Sequence, residues 1–329
     1  MIGFDGTELG AETRDLIAEL HIGGIILFSQ NLDTPEQIAR LCRQAQEQAA
    51  ACGLPPLFIA IDQEGGQVAR LREPFTVFEG NPAMRDVADA THFGRVTAAE
   101  LSDLGINMDM APVVDVAFAA DSIMDRRAFA GDPARVAEMG AAVIDALQGN
   151  GVMAVAKHFP GIGRTTLDSH LDRPVLDTPW QELAASDLLP FIAAVRCGVS
   201  GVMLSHIVYR DYDPRWPASL SEKIAREVLR GRMGYNGLVM TDDLDMGAIQ
   251  KYYDIETAMQ RVLAADIDLA LICHRGPDIA RAYEVLLDEL RKSSQMRRRA
   301  RESAGRILAA KEKYIARPLQ ADHASRARE

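Results

Sequence analysis

Val152–His170 reads VMAVAKHFPGIGRTTLDSH, and the rest of the chain can be read outward from it. Its first five residues, VMAVA, form a short apolar run that suits a buried strand. Lys157 and His158 then stand where the strand emerges from a core, and Pro160, Gly161 and Gly163 turn the chain into a loop. That loop carries Asp168 and His170 with only Ser169 between them. A carboxylate so near can orient an imidazole and raise its pKa, making it a proton donor near neutral pH. Asp and Ser are also favoured in turns, so a turn-capping Asp and a solvent-facing His would account for the same residues. The two glycines offer hinges on which such a loop could close over a substrate.

Similar apolar runs recur at Ile2–Phe4, Gly24–Phe28, Leu57–Ile61, Met108–Val114, Gly201–Leu204, Gly237–Met240 and Leu269–Ile272. Helical stretches separate them. Thr34-Pro35-Glu36-Gln37 combines an N-cap, a proline at the first helical position and a glutamine suited to a capping box. Asp132-Pro133 opens a helix whose Val136, Met139, Val143 and Leu147 share one stripe, with Gly140 and Ala141 small beside it. Ser221 caps another, with Ile224, Val228 and Leu229 as its apolar face. Eight runs alternating with helices predict an α/β fold with a parallel sheet, closed as a barrel or open and doubly wound. The number of runs in 329 residues favours a single (β/α)8 TIM-type barrel. Its first strand, starting beside Met1, is expected to be short or clipped. No linker or internal repeat divides the chain. The reading is one catalytic barrel over 1–317, ending in a basic helical stretch from Arg291 to Arg306, and a polar C-terminal tail over 318–329.

Composition narrows the function. A formal net charge of -11 argues against a nucleic-acid partner, which would need a basic surface. Cys42, Cys52, Cys197 and Cys273 are scattered, which suits free thiols in a reducing compartment. The N-terminus MIGFDGTELG lacks the pattern of a signal peptide. No apolar run approaches the ~18 residues of a membrane span. A cytoplasmic monomer without membrane association is expected. No metal or other cofactor is expected either, because His158, His170, His206 and His274 show neither HxH nor HExxH spacing.

In a barrel the active site is built at the carboxyl ends of the strands. The polar residues there are Asp62-Gln63-Glu64-Gly65-Gly66 with Arg70, then Asp115 followed by Arg126 and Arg127. Lys157-His158, Ser205-His206, Thr241-Asp242-Asp243 and His274-Arg275 complete the rim. Any one of these could be a turn cap or a solvated charge. So many ionisable groups converging on one rim point to a catalytic or binding site.

KHFPG-x-G followed after four residues by DSH resembles the signature of glycoside hydrolase family 3, in its bacterial β-N-acetylglucosaminidase branch. IDQEGGQVARL, RAFAGDP and MTDDLDM resemble three further elements of that family, in the same order. The similarity runs from about Gly3 to about Cys273. It implies that Asp242 is the nucleophile and that Asp168 and His170 form the acid/base dyad. It also implies that Asp62, Arg70, Arg127, Lys157 and His158 contact the sugar. The chain departs from the pattern at Ile162, where the family usually has histidine, and at Ala128, where it has serine.

Retaining glycoside cleavage needs a nucleophile on one side of the anomeric carbon and an acid beside the leaving oxygen. Asp242 at a strand end suits the first task and His170 the second, with Asp168 setting its tautomer. Asp243 is the rival nucleophile, although the next residue along a strand points to the opposite face. Asp62 is the fallback carboxylate. The resemblance implies removal of terminal β-linked GlcNAc, with a GlcNAc-containing oligosaccharide or muropeptide from cell-wall recycling as the partner molecule. A β-glucosidase, a phosphorylase on the same scaffold and a silent sugar-binding protein are the alternatives.

Overall fold

The computed structural model describes residues 1–118, 121–274 and 276–315; the tail over 318–329 and Arg275 lie outside them. The apolar runs form a parallel sheet in chain order: Gly24–Leu27 (β1), Phe58–Ile61 (β2), Met108–Asp109 (β3), Met153–Phe159 (β4), Gly201–Leu204 (β5), Leu238–Asp243 (β6) and Leu269–Leu271 (β7). Every residue of β1, β2, β4 and β5 is buried, as expected for strands covered on both faces.

The expected first strand is reduced to one residue. Ile2 makes parallel bridges to Ile25 in β1 and to Ile272 beside β7. Backbone hydrogen bonds run from Ile2 N–H to Gly24 O, from Ile26 N–H to Ile2 O and from Gly3 N–H to Ile272 O. The curled sheet of seven strands is thus joined edge to edge at one point, a clipped (β/α)8-type barrel. The longer described helices follow in turn: Ala11–Leu20 (α1), Pro35–Ala51 (α2), Val87–Asp103 (α3), Pro133–Gly149 (α4), Leu188–Arg196 (α5), Lys223–Arg232 (α6, a π-helix), Ile255–Ala264 (α7) and Asp278–Lys292 (α8).

The N-caps are where the residue types place them. Thr34 Oγ1 accepts from Gln37 N–H and Asp132 Oδ1 from Arg135 N–H. Gly140 of α4 is small for a reason: a Cβ there would lie 2.6 Å from a Val114 methyl. The expected long run Met108–Val114 is a strand only at Met108–Asp109, with a single further bridge from Val113 to Lys157. Pro112 interrupts it, because proline has no N–H to give the ladder. The basic stretch from Arg291 is split by Ser293, which caps the last described helix, Ser294–Tyr314 (α9). Arg306 of α9 pairs with Asp266 and Asp268, which ties that helix to the barrel. No described helix is long and apolar enough to cross a membrane.

Strand periodicity divides the core into two parts. Phe58, Ala60, Met153, Val155, Leu238 and Met240 fill the barrel interior. Ile59, Ile61, Ala154, Ala156 and Val239 pack outward in the larger core, with the helices. Counting on by two from the interior series reaches Asp62, Lys157 and Asp242 at the carboxyl ends. One alternation therefore aims all three at the same cleft.

Candidate active site

A cleft of about 320 Å3 opens at the carboxyl end of the barrel, within the usual range of about 300–1,000 Å3 for small-molecule sites. Asp62, Arg70, Arg127, Lys157, His158, Asp168, His170 and Asp242 all line it. The eight residues singled out in the sequence come together on one surface.

Gln63 builds the first side. Its backbone N–H donates to Asp109 Oδ1, and its side-chain oxygen accepts from the N–H groups of Arg70 and Leu71. This folds the short hairpin of Gln63–Gly65 and Val68–Ala69 so that Arg70 returns to Asp62, Nη2 to Oδ2 at 3.3 Å. Lys157 Nζ lies 2.8 Å from Asp62 Oδ1 and 2.6 Å from Glu64 Oε1. Glu64 in turn receives two parallel bonds from Arg127, Nε to Oε2 at 2.9 Å and Nη2 to Oε1 at 2.7 Å. Lys157 and His158 therefore sit within β4, not beyond its end, and Lys157 is almost wholly buried.

Burial alone would raise the pKa of Asp62, but Lys157 and Arg70 reverse this and hold its carboxyl well below the usual range. Glu64 is likewise pushed up by burial and brought below its ordinary value by Lys157 and Arg127. Burial works against the Lys157 ammonium, and the two carboxylates beside it raise its pKa overall. Asp109, beneath them, is raised well above its ordinary value by burial, and its Oδ2 has no partner among the described residues.

His158 is oriented from behind. Its Nδ1 is 2.7 Å from Asp115 Oδ2, and the other Asp115 oxygen accepts from Ile162 N–H. That assigns the Nδ1 proton to the bond with Asp115 and leaves Nε2 facing Arg127 at 3.5 Å. Across the cleft, Asp242 Oδ1 accepts from Asp243 N–H. Burial raises its pKa, and His206 and His158 more than offset this, so Asp242 is a carboxylate at neutral pH. Asp243 also reaches the cleft wall, but its Oδ1 accepts from the N–H groups of Asp245 and Cys273. Burial, with Asp245 nearby, pushes Asp243 up to about 6. Asp243, Asp245 and His274 bring ligand-type atoms within 4.8 Å of one another. Their carboxylates accept backbone N–H groups and so close the turns after β6 and β7.

Asp168 Oδ1 lies 2.8 Å from His170 Nδ1 and also accepts the His170 backbone N–H. This dyad is the exposed part of the site, with the His170 side chain 68% accessible. Gly161 and Gly163 are not its hinges, because both are buried and packed. A Cβ at 163 would lie 1.8 Å from Val116 O, and one at 161 would lie 3.0 Å from the Asp187 side chain. They are glycines so that the start of the loop can lie against its neighbours.

Residues 2–310 match the family model described as the glycosyl hydrolase family 3 N-terminal domain. The chain belongs to glycoside hydrolase family 3. It is 35% identical over 281 residues to a β-hexosaminidase of Pseudomonas aeruginosa, which covers 83% of this chain and 82% of the relative. The structure of a family 3 β-N-acetylglucosaminidase from Paenibacillus is similar with a TM-score of 0.92 at 36% identity, over 98% of this chain and 63% of that one. NagZ from Neisseria gonorrhoeae, solved with N-trifluoroacetyl-D-glucosamine, superposes with a TM-score of 0.75 at 28% identity, over 93% of this chain and 97% of that one.

For this family 3 hydrolase the sequence reading placed Glu64, Asp115 and His206 on the rim without giving them work. Glu64 is the buried anion that joins Lys157 to Arg127, and Asp115 orients His158. His206 is held by Ser219 Oγ and by the Asp243 carbonyl, each at 2.7 Å. The available signal was their position at strand ends; their partners are far away in sequence.

Proposed function

We propose that this protein is a retaining exo-β-N-acetylglucosaminidase. It removes terminal β-linked GlcNAc from cytoplasmic cell-wall fragments, acting as a monomer. The observation that carries this reading is the pairing, in one cleft, of a half-buried ionised Asp242 with the Asp168–His170 dyad. Asp242 attacks the anomeric carbon and forms the glycosyl-enzyme. The bond from Nδ1 of His170 to Asp168 leaves Nε2 to work: as imidazolium it protonates the leaving oxygen, then as neutral imidazole it takes the proton of the incoming water. Asp62, Arg70, Arg127, Lys157 and His158 hold the sugar. Their alternating charges are already paired, so the donors and acceptors are in place before substrate arrives.

The test is trapping with a 2-acetamido-2-deoxy-5-fluoro-glycoside. One sugar mass on a peptide containing Asp242 is the expected result, with Asp242→Asn folded and unlabelled. Label on Asp243 or Asp62 would remove the assignment. In parallel, kcat/KM for an aryl β-N-acetylglucosaminide should exceed that for the aryl β-glucoside.

A further inference from the structure

Between the anchors at Thr165, which accepts from Ile123 N–H, and Pro174, which accepts from Val208 N–H, the loop carrying the dyad is largely exposed, with Ser169 buried in its middle. Its apolar side chains do not hold it down, since Leu167 is 42% and Leu171 67% exposed. Among the described residues, every hydrogen bond it makes to another part of the protein beyond those anchors goes to one segment, Gly247–Tyr253, just after the strand that carries Asp242. The Gly247 N–H donates to His170 O at 3.3 Å and the Ala248 N–H to Ser169 O at 3.1 Å. Lys251 Nζ donates to Leu171 O and the Tyr252 hydroxyl to Asp172 Oδ1, both at 2.6 Å. Arg173 donates to the Tyr253 hydroxyl at 2.6 Å and stacks over the Tyr252 ring, 4.0 Å from its centroid. Gly247 must be small for this contact. A Cβ there would lie 2.7 Å from His170 O and 3.0 Å from Leu171 O.

We propose that Gly247, Lys251 and Tyr252 are positioning residues, a polar latch that holds the Asp168–His170 loop against the segment following Asp242 and sets how often the acid/base stands over the nucleophile. The proposal rests on the reading of His170 as the acid/base. The Lys251 and Tyr252 bonds are exposed and so weak enough to open, while the Ala248 N–H bond to the buried Ser169 is register-specific enough to return His170 to one place. Gly247 and Ala248 grip the backbone of the dyad itself, while Lys251 and Tyr252 grip the two residues after it.

Two variants test it, Gly247→Ala and the double variant Lys251→Met/Tyr252→Phe, so that the second remains informative if the first folds poorly. Two readouts are taken: hydrogen exchange over residues 167–172, and kcat/KM on an activated aryl glycoside and on an alkyl glycoside. The expected result is faster exchange in the loop, with kcat/KM down about tenfold on the alkyl glycoside and less than about twofold on the aryl one. Unchanged exchange in both variants overturns the latch. Faster exchange with equal losses on both substrates overturns its positioning role. His170→Ala, measured alongside, must itself lose far more on the alkyl glycoside. Equal losses there would remove the acid/base reading, and the exchange data would still decide the latch.

Discussion

Nζ of Lys157 lies 2.6 Å from Oε1 of Glu64, and each side chain is only 2% exposed. A buried charge of this kind is tolerable only while its partner remains. Glu64→Gln keeps the shape but leaves Lys157 with Asp62 alone and strips Arg127 of its paired bonds. The expected cost is about 3 kcal/mol of stability together with a clear loss of kcat/KM. The sign with pH follows from the lowered pKa of Glu64, whose ordinary value is 4.5. Its contribution is present above that pH and is lost as the pH falls through the folded-state value. Urea unfolding at pH 7 and at pH 4 should therefore show a smaller gap between wild type and variant at the acid end.

Gly163→Ala is expected to destabilise by about 3 kcal/mol or more, since the new methyl would meet the backbone oxygen of Val116 and not a side chain that could turn away. A chemical unfolding midpoint within error of wild type would show that the loop entrance can shift. Activity is the second measure, because the displaced segment leads directly to Asp168.

Lys311 of α9 is 6% exposed, and its ammonium sits 5.0 Å from the Phe58 ring centroid. Burial lowers its pKa from the ordinary 10.5 to about 8. The charged form is thus the costly one in the folded state. The cost is complete below about pH 8 and is relieved as the pH rises towards 10.5. Lys311→Met should therefore stabilise the protein at pH 7 by about 2 kcal/mol, with the gain shrinking towards pH 10. A gain that is independent of pH would assign the effect to packing instead.

Burial raises the pKa of Asp168, and the His170 backbone N–H and ring together bring it below its ordinary value. It faces the imidazole as an anion. Asp168→Asn keeps a hydrogen-bond acceptor but removes the negative charge that faces the imidazole. The expected result is a loss of kcat/KM on alkyl glycosides of about tenfold, milder than that of His170→Ala, with little change on activated aryl glycosides. Equal losses on alkyl and aryl glycosides would show that Asp168 only anchors the loop.

The local pattern of the chain was enough to determine the alternation of strands and helices, the caps at Thr34 and Asp132, and the rim on which the ionisable residues gather. These features depend on neighbours a few positions apart, so period and residue type reveal them. Aim follows from the same rule, since Asp62, Lys157 and Asp242 continue interior-facing series by steps of two. Tertiary structure alone decided the rest. Ile2 closes the sheet by a single residue because β1 and β7 arrive on either side of it. Lys157 is buried among carboxylates because β2 and β4 flank β3 in the sheet, and no local signal marks Glu64 as the anion between Lys157 and Arg127. Gly163 looked like a hinge and is a point of close contact, because its small size answers to the Val116 carbonyl, not to its own loop. The grip of Gly247, Lys251 and Tyr252 on the Asp168–His170 loop belongs to the same class. It joins segments that come within hydrogen-bonding distance because β4 and β6 both pair with β5.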